Sequence, residues 1–248
     1  MRALIVTALF LAVSTTGCLG DLLGSDRGSP YDYIRPDHSK WVIEVDATPG
    51  WEPSSSLLST LRQRMDEVVR KEQIITQLDD ELPSQARWTR GDIDDLHDRF
   101  SDRKTGGDTA VTHLMFVDGR YEQENVLGIA IGHDTIVIFS ERIRETCNDG
   151  ALGLPTCTSA DENRGRTAVL VHEFGHILGL VDNGIPMVND HEADECDGRP
   201  DDGHSSNTNS VMNCQVRTAG LFGLSNIPTT FDSNDKLDIC AAGGKGSC

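Results

Sequence analysis

The residues in this chain best suited to do chemistry are His172, Glu173 and His176, in the run His172-Glu173-Phe174-Gly175-His176. This is an H-E-x-x-H pattern. Spacing of four on a helix places both imidazoles on one face, with Cβ atoms about 5–6 Å apart. Two neutral ring nitrogens at that separation can share one tetrahedral zinc ion. Glu173 stands beside them, where its carboxylate can act as general base on a zinc-activated water. A catalytic zinc needs a third protein ligand and one open position.

The surrounding elements have to hold that helix in place. Ala168-Val169-Leu170-Val171 is apolar, as a buried helix requires, and Ser159-x-x-Glu162 offers a capping box to open it. Trp41–Thr48 alternates apolar and polar residues and reads as a strand. Serines 54–56 cap a helix with an apolar stripe of Leu57, Leu58, Leu61, Met65, Val68 and Val69. A second helix is expected from about Gly91 to Asp102, then strands at Val111–Val117, Val126–Ile131 and Thr135–Phe139. Strand 135–139 is read as the sheet edge that would align an extended peptide substrate. Cys147–Asn163 reads as a disulfide-pinned loop. The layout is α+β, with helices packed on a mostly continuous sheet.

Gly179, three residues after His176, can take positive φ and turn the chain back toward a metal. The extended signature H-E-x-x-H-x-x-G-x-x-D resembles that of the metzincins, with Asp182 where many members have His, as in snapalysin-like enzymes. The resemblance covers roughly residues 110–240 in layout. It is specific in residues 172–182 and in Ser210-Val211-Met212-Asn213-Cys214, where Met212 is the candidate Met-turn. It implies a zincin domain with a mostly parallel twisted sheet, an active-site helix and a Met-turn. The implied activity is that of a zinc metalloendopeptidase, a hydrolase acting on protein or peptide substrates. The alternative is a zinc-binding but catalytically inactive surface or adhesion lipoprotein.

Two residues compete to be the third zinc ligand. Asp182 has the metzincin spacing. The run from Gly179 to Met187, followed by His191, resembles a group of predicted bacterial and archaeal metzincin-like proteases in which the later His looks like the better ligand. Imidazole also suits zinc better than a lone carboxylate. His191 is therefore preferred, with Asp182 as alternate or outer ligand. His204 reads as a solvated loop residue, because flexible polar loops hold ligands poorly. No Tyr follows Met212, so the tyrosine that many metzincins place near the oxyanion has no counterpart among Tyr31, Tyr33 and Tyr121.

The 248 residues suit one domain with a sizeable core. Arg2 followed by apolar Ala3–Val13 reads as a signal peptide over residues 1–17. Gly17-Cys18 then resembles a bacterial lipobox, with Cys18 lipidated. Residues 18–40 read as the lipidated N-terminus and a flexible tether, and residues 41–248 as the catalytic domain. The expected location is the cell envelope, as a lipoprotein of the outer membrane or cell surface, or secreted if Cys18 carries no lipid.

Removing residues 1–17, with one Arg and no acid, takes the formal charge from −18 to −19. Such a surface repels nucleic acid. The membrane, through the lipid, is the other expected partner, and a monomer is expected. Residues 182–202 hold eight acids, so calcium is a second candidate cofactor. Setting Cys18 aside leaves Cys147, Cys157, Cys196, Cys214, Cys240 and Cys248, an even number suited to three disulfides. Pairing of neighbours (147–157, 196–214, 240–248) is the simplest arrangement.

Overall fold

The computed structural model describes residues 27–148, 157–196, 199–200, 203–214 and 227–248. The signal peptide and Cys18 lie outside these residues. So do the side chains of Cys147 and Cys196.

The described residues open with helix α1 (Pro30–Ile34) and strand β1 (Lys40–Ala47), then helix α2 (Ser55–Asp66), strand β2 (Gln73–Glu81) and the short strand β3 (Arg87–Trp88). Helix α3 (Arg90–Phe100), strand β4 (Thr109–Val117), the short strand β5 (Arg120–Tyr121), and strands β6 (Gly128–Ile131) and β7 (Thr135–Phe139) follow. Helix α4 (Ser140–Asn148), helix α5 (Ser159–Ile177), the small hairpin β8 (Glu195–Cys196) with β9 (Arg199–Pro200), and helix α6 (Ser233–Ala241) complete the described elements.

Five strands form the main sheet in the order β2-β1-β4-β7-β6. All neighbours are parallel except β6, which runs antiparallel to β7. The architecture is therefore mixed α/β with a mostly parallel sheet. Sheets of that kind are covered on both faces. On one face Trp41, Ile43, Val45, Leu114, Phe116, Ile136 and Ile138 share a core with Leu57, Leu61 and Met65 of α2 and Leu170 and Phe174 of α5. On the other, Met115, Val117, Val137 and Phe139 pack with Ile93 and Leu96 of α3, Trp88 and Tyr121. Burial on both faces is why β4 reads as a nearly continuous apolar run.

Several boundaries differ from the sequence reading. Residues 30–34 are not tether. Pro30 at the helix start forms α1, whose Tyr33 and Ile34 are fully buried. Tyr33 donates its hydroxyl proton to the Val111 carbonyl at 2.9 Å. Strand β7 is interior, and β6 takes the edge, because the Gly132-His133-Asp134 turn folds β6 back along the outer side of β7. The α5 capping box sits one residue earlier than expected. Thr158 is the N-cap and Asp161 its partner, and residues 159–163 are helical rather than loop. Strand β2 carries no clear strand pattern in the sequence, because it is an exposed edge whose apolar residues barely alternate. Cys240 and Cys248 form a disulfide. Cys157 and Cys214 are also disulfide-bonded.

Candidate metal centre

Helix α5 is buried along its second half, from Ala168 to Ile177, so its histidines project into a closed space. The helix then stops sharply. Leu178 is the C-cap, Gly179 takes φ +71°, and the N–H groups of Gly179 and Leu180 bond back to the carbonyls of His176 (2.9 Å) and Gly175 (3.1 Å). This double bond-back is a Schellman closure. A side chain at 179 would collide with Pro30 and crowd Ile185. Val181 and Asp182 are also left-handed, at φ 56° and 57°. A β-branched residue there is a strained outlier, which costs on the order of 1–3 kcal/mol. The reversal carries the chain back past the helix end, as the glycine predicts.

The two helix histidines meet as expected. His172 Nδ1 lies 2.8 Å from the Val211 carbonyl, which requires an Nδ1–H donor and leaves the Nε2 lone pair facing inward. That Nε2 lies 3.2 Å from His176 Nε2. Asn183 places its side-chain amide 3.5 Å from the other nitrogen of His176. Two ring nitrogens so close, buried from water, need a proton or a cation between them.

The third member is His204, not His191 or Asp182. His172, His176 and His204 are all buried, and one ring nitrogen from each lies within 4.8 Å of the others. The His204 ring stacks on His172 (centroids 5.1 Å apart, 21° between planes) and meets His176 edge-on at 5.2 Å. The loop is neither free nor solvated. The His204 carbonyl accepts the Ala193 N–H at 2.8 Å. The Ser205 N–H reaches the Met212 carbonyl at 2.9 Å, and the Asn213 side chain donates to the Ser205 carbonyl at 2.7 Å. Gly203, at φ +85°, passes beside His176 and donates its N–H to Glu192 Oε1 at 2.9 Å.

His191 is buried but turned elsewhere, with Nε2 at 2.8 Å from Asp238 Oδ2 and Nδ1 at 3.3 Å from Ser205 Oγ. Asp182 is exposed on the strained turn and outside the group. Local polarity around Asp201-Asp202-Gly203-His204 gave no sign of this burial, which arises from pairing with segments 191–193 and 211–213.

Glu173 is buried next to the histidines and lies against the edge strand: a Cβ on Gly128 would stand 2.9 Å from its Cγ and Oε1. Met212 packs beneath the motif, where a Cβ on Gly175 would overlap its sulfur. Below Met212, the Ser210 Oγ accepts the Met212 N–H (2.8 Å) and donates to Asp235 Oδ2 (2.5 Å). Burial raises the Asp235 carboxyl to about 6.

The donor set fits zinc: three imidazoles converge from one helix and one loop, with a carboxylate adjacent. Among the described residues no acid of 182–202 joins a potential metal group, so nothing supports the calcium expectation. Glu44, Asp79 and Asp102 also gather, but Arg103 already bridges Glu44 (3.1 Å) and Asp79 (3.0 Å).

No protein-family model matches the chain, and no curated protein is similar to it in sequence. Among solved structures it is similar to archaemetzincin from Methanopyrus kandleri, with a TM-score of 0.51 and 14% identity over 84% of this chain and 97% of that one. At that identity the likeness concerns the fold, and the fold of this chain is archaemetzincin-like.

Proposed function

We propose that the protein is a zinc-dependent metalloendopeptidase in which His172, His176 and His204 hold the ion and Glu173 is the general base. The observation that carries this reading is the convergence of three buried imidazoles within 4.8 Å beside a buried glutamate. The archaemetzincin-like fold supports it. When bound, zinc would polarise the scissile carbonyl and lower the pKa of a water molecule toward neutrality.

The chain supplies the rest. Val211 fixes the tautomer and orientation of His172 through Nδ1, a common arrangement for metal-binding imidazoles. Glu173 takes a proton from the attacking water at its carboxylate and returns it to the leaving amine. Edge strand β6 presents backbone N–H and C=O groups next to Glu173, where an extended peptide could add as a further strand. Met212 is the apolar floor of the site, in the role of a Met-turn.

The test compares zinc content and digestion of a broad peptide library for the wild type and Glu173→Gln. The expected result is one zinc per chain in both and turnover only in the wild type. Equal digestion by both would remove Glu173 from the chemistry. Zinc binding without digestion by the wild type would favour the inactive surface module.

A further inference from the structure

The third imidazole comes from a loop rather than a helix, and the structure shows what holds that loop. Helix α6 and its N-cap carry Asp232, Asp235 and Asp238, three residues apart and hence on one face. Asp232 and Asp235 grip the segment that follows His204, and Asp238 grips residues 188–191 beside it. Asp232 accepts from the Asn207 side-chain amide at 2.5 Å, and Asp235 from the Ser210 hydroxyl at 2.5 Å. Asp238 pairs with His191 Nε2 at 2.8 Å and also accepts the Val188 N–H at 2.7 Å.

His191 relays the last of these grips to His204. Its other nitrogen meets the Ser205 hydroxyl at 3.3 Å. Its carbonyl accepts both the N–H (2.8 Å) and the hydroxyl (3.0 Å) of Ser206. His191, Asp238 and Ser205 are all at least nine-tenths buried. A buried His–carboxylate pair carries a desolvation cost, which hydrophobic residues would avoid, and the best-attested return on such a pair is to fix a register.

We propose that the Asp238–His191 pair is a clamp that seats the third-ligand loop, so that His191 is a positioning residue acting through His204 and not itself a ligand. This rests on the zinc reading given above. It explains why an imidazole in ligand-like sequence context faces away from the other two. It also assigns α6, outside the motif region, a role in metal affinity.

The test uses the full chain with His191→Gln, Asp238→Asn and the double variant. Lys71→Met, a change in another part of the fold, is the control for general destabilisation. Three quantities are read: amide hydrogen exchange at Ala193, Ser205 and Ser206 in metal-free protein, zinc Kd, and the imidazole count at zinc by X-ray absorption. Each single variant is expected to speed exchange at those amides and to weaken zinc binding about 10–100-fold. Three imidazoles should remain. The double variant should be no worse than the poorer single one, because the pair acts as a unit.

Loss of one imidazole in His191→Gln would make His191 a ligand and overturn the proposal. Unchanged exchange, or an equal loss of affinity in Lys71→Met, would also overturn it. If His191→Gln does not fold, the near-isosteric Asp238→Asn decides by the same criteria. A wild type that binds no zinc would sink the metallopeptidase reading, and exchange in metal-free protein would then judge the clamp alone.

Discussion

Replacing His204 by alanine tests the three-histidine site most sharply. Structural zinc sites with four ligands bind with about 10–16 kcal/mol, or roughly 2.5–4 kcal/mol per ligand. His204 is fully buried, and its ring stacks on His172 and meets His176 edge-on, so the alanine variant removes one of the three imidazoles that would hold the ion. Losing about 2.5–4 kcal/mol weakens zinc binding by roughly 10²–10³-fold, at 1.4 kcal/mol per decade. Asp182→Ala removes an exposed carboxylate outside the group and is expected to leave zinc affinity within about twofold, since surface changes are small. Competition with a chelator of known affinity reads both values, and circular dichroism of the metal-free forms confirms that they fold. If Asp182→Ala loses the metal while His204→Ala keeps it, the reasoning fails, and the strained turn must open to deliver its aspartate.

Three other perturbations probe the framework. Gly175→Ala drives a methyl group into Met212 and against Phe231, and such overpacking costs about 1–3 kcal/mol; an unchanged melting temperature would mean that Met212 does not pack tightly under the motif. Asp235 binds its proton more tightly in the folded protein (about 6) than at its ordinary 3.8, so protonation stabilises the fold, and stability should fall as pH rises from about 4 to 6. That contribution amounts to at most about 3 kcal/mol. Asp235→Asn should flatten this slope in urea titrations, and parallel curves for the two proteins would refute it. Lys71 Nζ donates to the carbonyls of Asp32 (2.5 Å), Arg35 (2.5 Å) and His38 (2.7 Å), so Lys71→Met strands three acceptors and should cost roughly 3 kcal/mol. Calorimetry should show a Tm lower by roughly 6–12 °C, and a fall under 2 °C would show that water replaces the ammonium.

Local pattern alone determined much of this protein. The four-residue spacing of His172 and His176 needs only helical geometry. Gly179 ends the helix because the backbone there needs positive φ. The apolar rows of β1 and α2 repeat with the period of their own element, and β4 reads as a nearly continuous apolar run because both of its faces are buried. Tertiary structure decided the rest. Whether β6 or β7 lies at the sheet edge depends on which partner each finds, and β7 pairs with β4 on one side and β6 on the other. The choice among Asp182, His191 and His204 turns on contacts between residues far apart in the chain, such as His204 with His172 and His191 with Asp238. A histidine in a polar loop carries no local mark of burial. His204 becomes part of the site because the main chain on either side of it finds hydrogen-bond partners in segments 191–193 and 211–213, and no pattern of period two or 3.6 encodes that pairing.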